Sequence, residues 1–302
     1  KRNRFTKVFS KAGQARKFAQ LVRNYIKEYN PDLIWIASAE AAAMLKPIQG
    51  FLSRYPYYLN IYETYDRRRT MLSMISYLAK NAKEVIVPEY NRAHILRLWL
   101  GLDRTPTVIS NKPIVHPRTR ELAISQSLKD KIQGKKVILY QGHITADRNI
   151  DVLASTVSDL PDYLLVLLGS GDRYLDHLKV RYSTILFVDY IKPPIHLSVT
   201  SWAFIGVVSY QHYSLNTIFC APNKIWEYSG FGIPMIANDI PGLRYTVGVS
   251  GAGICTDMND EASIISAIQD LDKNYSVYSA NSTKMFENED IESKINTLVA
   301  DL

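Results

Sequence analysis

Short apolar segments alternate with segments of helical periodicity along the sequence, and this alternation restricts the fold more than any other feature. The apolar segments have the length of buried strands, and the segments between them are long enough for helices. Strands that are separated by helices pair in parallel, because each crossover helix returns the chain to the same edge of the sheet. The sequence therefore predicts an α/β protein built on parallel sheets.

The predicted elements form two domains, 1–117 and 118–302, joined by a polar linker that contains Pro113 and Pro117. In the first domain we predict helices at 13–29, 39–54, 64–82 and 92–100, and strands at 33–37, 57–62, 84–87 and 107–109. In the second we predict strands at 135–140, 164–168, 185–188, 204–208 and 235–237, and a last helix at 287–302. Two Rossmann-like, doubly wound domains facing a cleft would bind ligands at the carboxyl ends of their strands.

Charge is distributed unevenly between the two predicted domains. Residues 1–117 contain 20 Lys and Arg against 8 Asp and Glu, a net charge of +12, whereas residues 118–302 contain 16 against 21, a net charge of −5. A basic domain attracts nucleic acid, an anionic membrane surface or an anionic substrate. No helix-turn-helix, zinc-finger or RNA-binding signature accompanies the charge, so we expect no nucleic-acid partner. The cluster Arg67-Arg68-Arg69 ahead of an amphipathic segment favours contact with an anionic membrane, although such an apolar stripe also fits a domain core.

The sequence carries few signals for an oxidising or membrane-embedded location. Cys220 and Cys255 are too few for a disulfide framework and lack the spacing of a metal site. No apolar run approaches the roughly 18 residues of a membrane-spanning helix, and no signal peptide is visible. We therefore expect a cytoplasmic protein, with the inner face of the cell membrane as its site of any membrane contact.

The segment 220–234 places a lysine and a glutamate among apolar neighbours, just ahead of an apolar strand. Lys224 and Glu227 are three residues apart and so share one face of a helix. Burying both charges is costly unless a polar group lies between them, and a nucleotide would be such a group. The carboxylate can accept both ribose hydroxyls, and backbone N–H groups near Asn223 can bind a phosphate. A solvated ion pair on a surface helix is the alternative that these residues alone leave open.

Glu227 and the following Gly232-Ile233-Pro234-Met235-Ile236-Ala237 resemble the donor-binding signature of retaining nucleotide-sugar glycosyltransferases of the GT-B fold, of the group 1 or family 4 type. The sequence Pro-Asn-Lys ahead of the glutamate is similar to a subset from bacterial polysaccharide assembly. The family also carries a second glutamate eight residues earlier, where this chain has Phe219. The resemblance implies two Rossmann-like domains and a nucleotide diphosphate sugar, of UDP or GDP type, as donor.

The resemblance also implies roles for individual residues of the second domain. Arg148, Lys224 and Glu227 would be catalytic, with the two cations meeting the charge of the departing diphosphate. The family's phosphate-binding loop corresponds to residues that include Gly142 and Arg148, with His143 where arginine is usual. The remaining residues expected to bind the nucleotide sugar are Gly169 and Gly171 in a predicted turn, Tyr190 as a stacking partner for the base, and Asn223.

The first domain is expected to bind the acceptor, with Glu63 and Arg67 as candidate contacts. The histidine that the family often carries at this point is replaced here by the sequence Tyr62-Glu63-Thr64-Tyr65-Asp66. A complete domain of this kind would begin with a further strand, a glycine-rich loop and more elements, roughly 50 residues by the size expected of a domain. We therefore expect this domain to be incomplete at its N-terminus.

The function implied by the resemblance is transfer of a sugar from a nucleotide diphosphate sugar to an acceptor hydroxyl, with retention and without a metal or other cofactor. The acceptor would be a glycan or lipid-linked glycan in capsular, exopolysaccharide or O-antigen assembly. Two alternatives remain open. One is a catalytically impaired, transferase-like partner subunit, which Phe219 and His143 favour. The other is a sugar-nucleotide epimerase, which would need acid and base residues across the cleft.

Overall fold

The computed structural model describes the backbone of residues 4–300 and the side chains of residues 12–300. These residues form two units, each with its own parallel sheet. The first unit comprises the described residues up to Ser110, together with Ser214–Asn216 and the residues from Glu292 onward; the second comprises Asn111–Tyr213 and Thr217–Ile291. The prediction of two α/β domains with parallel sheets is confirmed.

The first unit contains a four-stranded sheet in which the strands follow one another in chain order. All neighbouring strands pair in parallel. The strands are β1 (Ile34–Ile36), β2 (Tyr57–Asn60), β3 (Glu84–Val87) and β4 (Thr107–Val108), and the helices are α1 (Arg4–Tyr29), α2 (Ala39–Leu45), α3 (Gln49–Leu52), α4 (Arg69–Asn81) and α5 (Tyr90–Leu100). Each strand overlaps its predicted range.

Two predicted helices of the first unit are wrong in their bounds. The single helix predicted at 39–54 is divided into α2 and α3 by a 3-10 turn, Lys46–Ile48, that contains Pro47. Proline lacks the backbone N–H of an α-helix and disfavours helical geometry in the preceding residue, which accounts for the break. The helix predicted at 64–82 begins only at Arg69. Tyr65 has a φ of +55°, and the backbone N–H of Thr64 donates to the side chain of Asn216.

The second unit contains a six-stranded parallel sheet in the order β10-β9-β8-β5-β6-β7. Counted from β5, this is the Rossmann order 3-2-1-4-5-6 read from the other edge. Alternate residues of β5 enter two apolar cores, with Val137 and Leu139 in one and Ile138 and Tyr140 in the other. The strands are β5 (Lys136–Ile144), β6 (Tyr163–Gly171), β7 (Leu186–Asp189), β8 (Ile205–Val208), β9 (Met235–Asn238) and β10 (Gly253–Thr256).

Helices flank this second sheet, and several of them lie where the sequence gave no prediction. The helices are α6 (Gln126–Ile132), α7 (Asp151–Ser158), α8 (Arg173–Arg181), α9 (Leu197–Thr200), α10 (Leu215–Ile218), α11 (Asn223–Ser229), α12 (Pro241–Leu243), α13 (Glu261–Lys273), α14 (Tyr275–Asn288) and α15 (Ile291–Ala300). The strand β10 was also not predicted. The helix predicted at 287–302 corresponds to α15, and its residues 301 and 302 lie outside the described residues.

The strands β5 and β6 run further than predicted, which corrects two local assignments. Residues 141–144 were expected in a loop and Gly169-Ser170-Gly171 in a turn, but the two strands pair as far as Ile144 and Gly171. The backbones approach closely there, because a Cβ added at Gly169 would lie 1.9 Å from the carbonyl oxygen of Gly142. The glycines therefore serve close strand pairing rather than a turn.

The two ends of the second unit differ from the boundary predicted at residue 117. Residues 111–117 group with the second unit, since Asn111 donates to the carbonyl of Ala221 and Lys112 donates to the carbonyls of Phe286 and Glu289. The helix α15 groups with the first unit, where the hydroxyl of Tyr58 donates to a carbonyl of this helix.

Among the described helices, none combines the length and the apolar character that crossing a membrane requires.

Replacing Gly169 with alanine tests the close pairing of β5 and β6. The added Cβ meets the backbone of Gly142, and the φ of +153° at Gly169 is unfavourable for a residue with a side chain. We expect a loss of about 2–4 kcal/mol in the free energy of unfolding, measured by urea titration. Gly50→Ala is the matched control, because a Cβ there has no atom within 4 Å and alanine favours the helix. A Gly169→Ala variant as stable as the wild type would contradict this packing.

Candidate functional site

The residues singled out in the second unit converge at the carboxyl ends of β5 and β8, where the strand order reverses. The strands β6 and β7 lie on one side of β5, and β8, β9 and β10 lie on the other. Ligands of open α/β sheets bind at such a switch point, because the two connecting chain segments diverge there and leave a crevice. Gly142 and His143 lie at the end of β5, and Ser209 and Tyr210 directly follow β8.

Lys224 is a buried cation at this switch point. Its side chain rises from the first turn of α11, and its amine lies 4.1 Å from the ring centroid of Tyr140 and 5.7 Å from that of Tyr210. A Cβ on Gly142 would lie only 3.5 Å from this amine, so the bare backbone of Gly142 lines the same space. Within the described part of the chain, Lys224 belongs to none of the ion pairs.

The environment of Lys224 disfavours its charge. Burial lowers the pKa of the amine from 10.5 to about 7, and the positive charge of Arg148 lowers it further, against the opposing effect of Glu227. The ring faces of Tyr140 and Tyr210 offer only the weak attraction of a cation–π contact. An anion placed beside the amine would supply the missing opposite charge and raise this pKa.

Arg148 is the second cation, and it ends the 3-10 turn Ala146–Arg148 that follows β5. Its guanidinium lies 4.2 Å from the ring centroid of Tyr210, so one tyrosine ring contacts both Arg148 and Lys224. Asp147 approaches Nη1 to 3.5 Å, but this buried nitrogen has no hydrogen-bond partner among the residues that the structure describes. Lys224 and Arg148, called the cation pair below, thus retain capacity to bind an anion.

Glu227 lies one turn after Lys224 on α11, and its carboxylate is held by two side chains. The amide nitrogen of Gln141 donates to Oε2, and Nε2 of His196 lies 3.1 Å from Oε1. The side chains of His196 and Glu227 are only 12% and 17% exposed. Each carboxylate oxygen still has a lone pair for a further donor, so Glu227 can accept a pair of neighbouring hydroxyls.

The backbone of Glu227 is fixed by His116 from the segment that precedes α6. The N–H of Arg118 donates to Nδ1 of His116, so Nε2 carries the ring hydrogen and donates to the carbonyl of Glu227 over 3.1 Å. The imidazole packs edge to face against Phe231 and Phe286, and burial lowers its pKa. A neutral histidine therefore anchors the helix that bears Glu227.

The other residues predicted in the second unit lie around this centre with less support. Nδ1 of His143 is 3.1 Å from the carbonyl of Ser170, and its ring is exposed at the end of β5. Tyr190 follows the edge strand β7 and is 61% exposed. Asn223 is the exposed first residue of the seven-residue helix α11. Gly169 and Gly171 allow β6 to pair closely with β5, as described above. The nucleotide roles expected for these residues stay predictions.

The two acceptor-side candidates lie in the first unit and are treated apart from this site. Glu63 is 4.0 Å from the buried guanidinium of Arg92, which also donates to the carbonyls of Tyr62 and Asn216. Arg67 precedes α4 in the segment that the sequence analysis took as helical. The assignment of Glu63 and Arg67 to an acceptor stays a prediction.

Sequence reasoning missed the residues that hold the candidate charges in place. Gln141, His196 and His116 contact Glu227 from three separate segments, and Tyr140 and Tyr210 contact the cation pair. Lone histidines and tyrosines carry no periodic signal, and only the fold brings these segments together. Among the residues described, no group of three or more His, Cys, Asp and Glu side chains is arranged to hold a metal ion.

Comparisons with known proteins bear on the fold. No protein-family model matches the chain, and no curated protein matches it in sequence. Sucrose-phosphate synthase from Thermosynechococcus elongatus is similar in structure, with a TM-score of 0.74 and 20% identity over 96% of this chain and 78% of that one. HepE from Anabaena, solved with UDP-glucose, has a TM-score of 0.74 and 16% identity over 94% of this chain and 82% of that one.

A UDP-forming α,α-trehalose-phosphate synthase from Burkholderia vietnamiensis is also similar, with a TM-score of 0.68 and 13% identity over 96% of this chain and 79% of that one. The likeness spans nearly the whole chain in each case. The chain therefore has the GT-B fold, as the sequence predicted.

The burial of Lys224 predicts a gain in stability when its charge is removed. Because the folded-state pKa of about 7 lies below the ordinary 10.5, the unfolded chain holds an extra proton between these values, and stability rises with pH across that window. We expect Lys224→Met to raise the free energy of unfolding by on the order of 3 kcal/mol at pH 6, and by less at pH 9, in urea titrations.

Lys273→Met is the control for this prediction, since Lys273 is exposed at the end of α13. We expect it to change stability by no more than about 0.5 kcal/mol at either pH. A Lys224→Met variant that is less stable than the wild type at pH 6 would contradict the account of a buried, poorly compensated cation.

Proposed function

We propose that this protein is a nucleotide-sugar glycosyltransferase that moves a sugar from a nucleotide diphosphate sugar to an acceptor hydroxyl. The observation that carries the proposal is the buried amine of Lys224 beside Arg148 at the switch point of the second sheet. A diphosphate supplies the negative charge that this cation pair lacks, and its two phosphates match two neighbouring cations. Glu227, one helical turn further on, accepts the ribose hydroxyls.

The structural neighbours support a uridine nucleotide as the donor's leaving group. HepE is solved with UDP-glucose, and the trehalose-phosphate synthase is UDP-forming. Both share the GT-B fold with this chain, which makes UDP the first donor nucleotide to test, ahead of GDP. The phosphate-binding Gly142 and the exposed Tyr190, Asn223 and His143 are part of this proposal, with Gly169 and Gly171 lining the nucleotide side.

The proposed chemistry is departure of the nucleoside diphosphate from an oxocarbenium-like sugar centre. Negative charge grows on the departing oxygen in the transition state, and cations already in place stabilise it without reorganisation. Lys224 and Arg148 supply this charge, so the proposal requires no metal ion. Retention of anomeric configuration rests on the family resemblance of the segment around Glu227.

The acceptor in this proposal is a glycan or a lipid-linked glycan that carries phosphate, as in the assembly of bacterial polysaccharides. The support is the net charge of +12 in residues 1–117, which favours an anionic acceptor. Glu63 and Arg67 are the proposed contacts. The same charge supports peripheral contact with the anionic inner face of the cell membrane.

A second candidate is a transferase-like partner subunit that keeps nucleotide binding without turnover. Phe219 favours it, because the resembling family has a glutamate there and phenylalanine can neither accept a proton nor bind a sugar hydroxyl. Release of the donor sugar, measured with UDP-sugars and a phosphorylated lipid acceptor, separates the two candidates.

Nucleotide binding is testable by thermal unfolding with UDP, GDP or ADP at millimolar concentration, each with a metal chelator present. A ligand at a hundred times its dissociation constant stabilises by about 2.7 kcal/mol, which raises the unfolding midpoint by roughly 5–10 °C. We expect this rise with UDP and its loss in Glu227→Gln. Glu261→Gln, an exposed residue of α13, is the control and should respond as the wild type does. No response to any nucleotide would contradict the proposed function.

A further inference from the structure

The carboxylate of Glu227 has a separate buried donor for each of its oxygens. Gln141, which is 3% exposed, donates its amide N–H to Oε2, and His196 contacts Oε1 over 3.1 Å through Nε2. The two donors approach from different segments, the end of β5 and the start of α9. Together they fix both the position and the plane of the carboxylate, because a carboxylate held at only one oxygen keeps rotational freedom.

Both donors are themselves fixed through α9. The hydroxyl of Thr200, which is fully buried, donates to the amide oxygen of Gln141 over 2.7 Å. This bond orients the amide so that its nitrogen faces Glu227. His196 is the residue that precedes α9, and Thr200 is its last residue. One short helix thus supports Gln141 by a side chain and carries His196 at its start.

The ring of His196 has one partner on the side of Glu227 and a buried nitrogen on the other side. Nδ1 has no hydrogen-bond partner among the described residues. In the neutral ring with its hydrogen on Nε2, Nδ1 presents only a lone pair, which costs less to leave unmatched than an N–H. Gln141 and a neutral His196 leave the carboxylate with its full negative charge and with unused lone pairs.

We infer that Gln141 and His196 are positioning residues that preset Glu227 to accept ribose hydroxyls, and that the site thereby selects ribonucleotides over 2′-deoxyribonucleotides. This inference rests on the proposed function, because it takes a nucleoside diphosphate as the ligand. A carboxylate that is already ordered loses little conformational entropy when the ribose binds, so the hydroxyl contacts contribute fully to affinity. The phosphates meet the cation pair instead and do not depend on Glu227.

The test compares three ligands, UDP, 2′-deoxy-UDP and inorganic diphosphate, by titration calorimetry. We expect the wild type to bind UDP about 10-fold or more tightly than 2′-deoxy-UDP, as hydrogen bonds to a charged group allow. In His196→Ala and in Gln141→Met this ratio should fall below about threefold, while the affinity for inorganic diphosphate stays within about twofold of the wild type. His196→Gln keeps an N–H donor near the position of Nε2 and should retain most of the ratio.

The outcomes separate this inference from the proposed function. A wild type that binds neither UDP nor inorganic diphosphate overturns both. A wild type that binds UDP, with the same preference over 2′-deoxy-UDP in His196→Ala and Gln141→Met, overturns only the inference. An equal loss for all three ligands in these variants also overturns it, since that result indicates general damage to the site. Retained diphosphate binding shows in each variant that the second unit is folded.

Discussion

A single buried amine makes the largest demand on the second unit. Lys224 is enclosed by the rings of Tyr140 and Tyr210 and by the backbone of Gly142, with Arg148 contacting the same Tyr210 ring. Desolvation and a neighbouring cation both act against its charge, and stability alone would favour an apolar residue there. Such a placement is understandable if an anionic ligand supplies the opposite charge. The proposed diphosphate site follows from this imbalance.

The surrounding fold keeps the required space narrow and its polar groups ordered. Close pairing of β5 and β6 depends on glycine at position 169, and it brings the end of β5 beside the amine of Lys224. Glu227 is then fixed at its backbone by His116 and at its carboxylate by Gln141 and His196. Cations and carboxylate are thus positioned before any ligand arrives, which is the condition for electrostatic stabilisation without reorganisation.

The alternation of apolar and helical segments was sufficient to predict both parallel sheets, because it depends on local periodicity. Local chemistry also explains the errors: Pro47 divides a predicted helix, and the contacts of Thr64 with Asn216 delay α4 until Arg69. The candidate site could be predicted as far as Lys224 and Glu227, which are neighbours in sequence. Gln141 and His196 could not, because residues 55 apart become partners only through the order of the strands and the placement of α9.

Proton uptake on UDP binding tests the central claim about Lys224 most directly. At pH 8 the amine, with a pKa of about 7, is mostly neutral in the unliganded protein, whereas a bound diphosphate favours its charged form. UDP itself is fully ionised at this pH, since the second phosphate pKa is about 6. Calorimetry in two buffers of different ionisation enthalpy should therefore show uptake of close to about one proton by the wild type and none by Lys224→Met. UDP binding without proton uptake by the wild type would contradict the account.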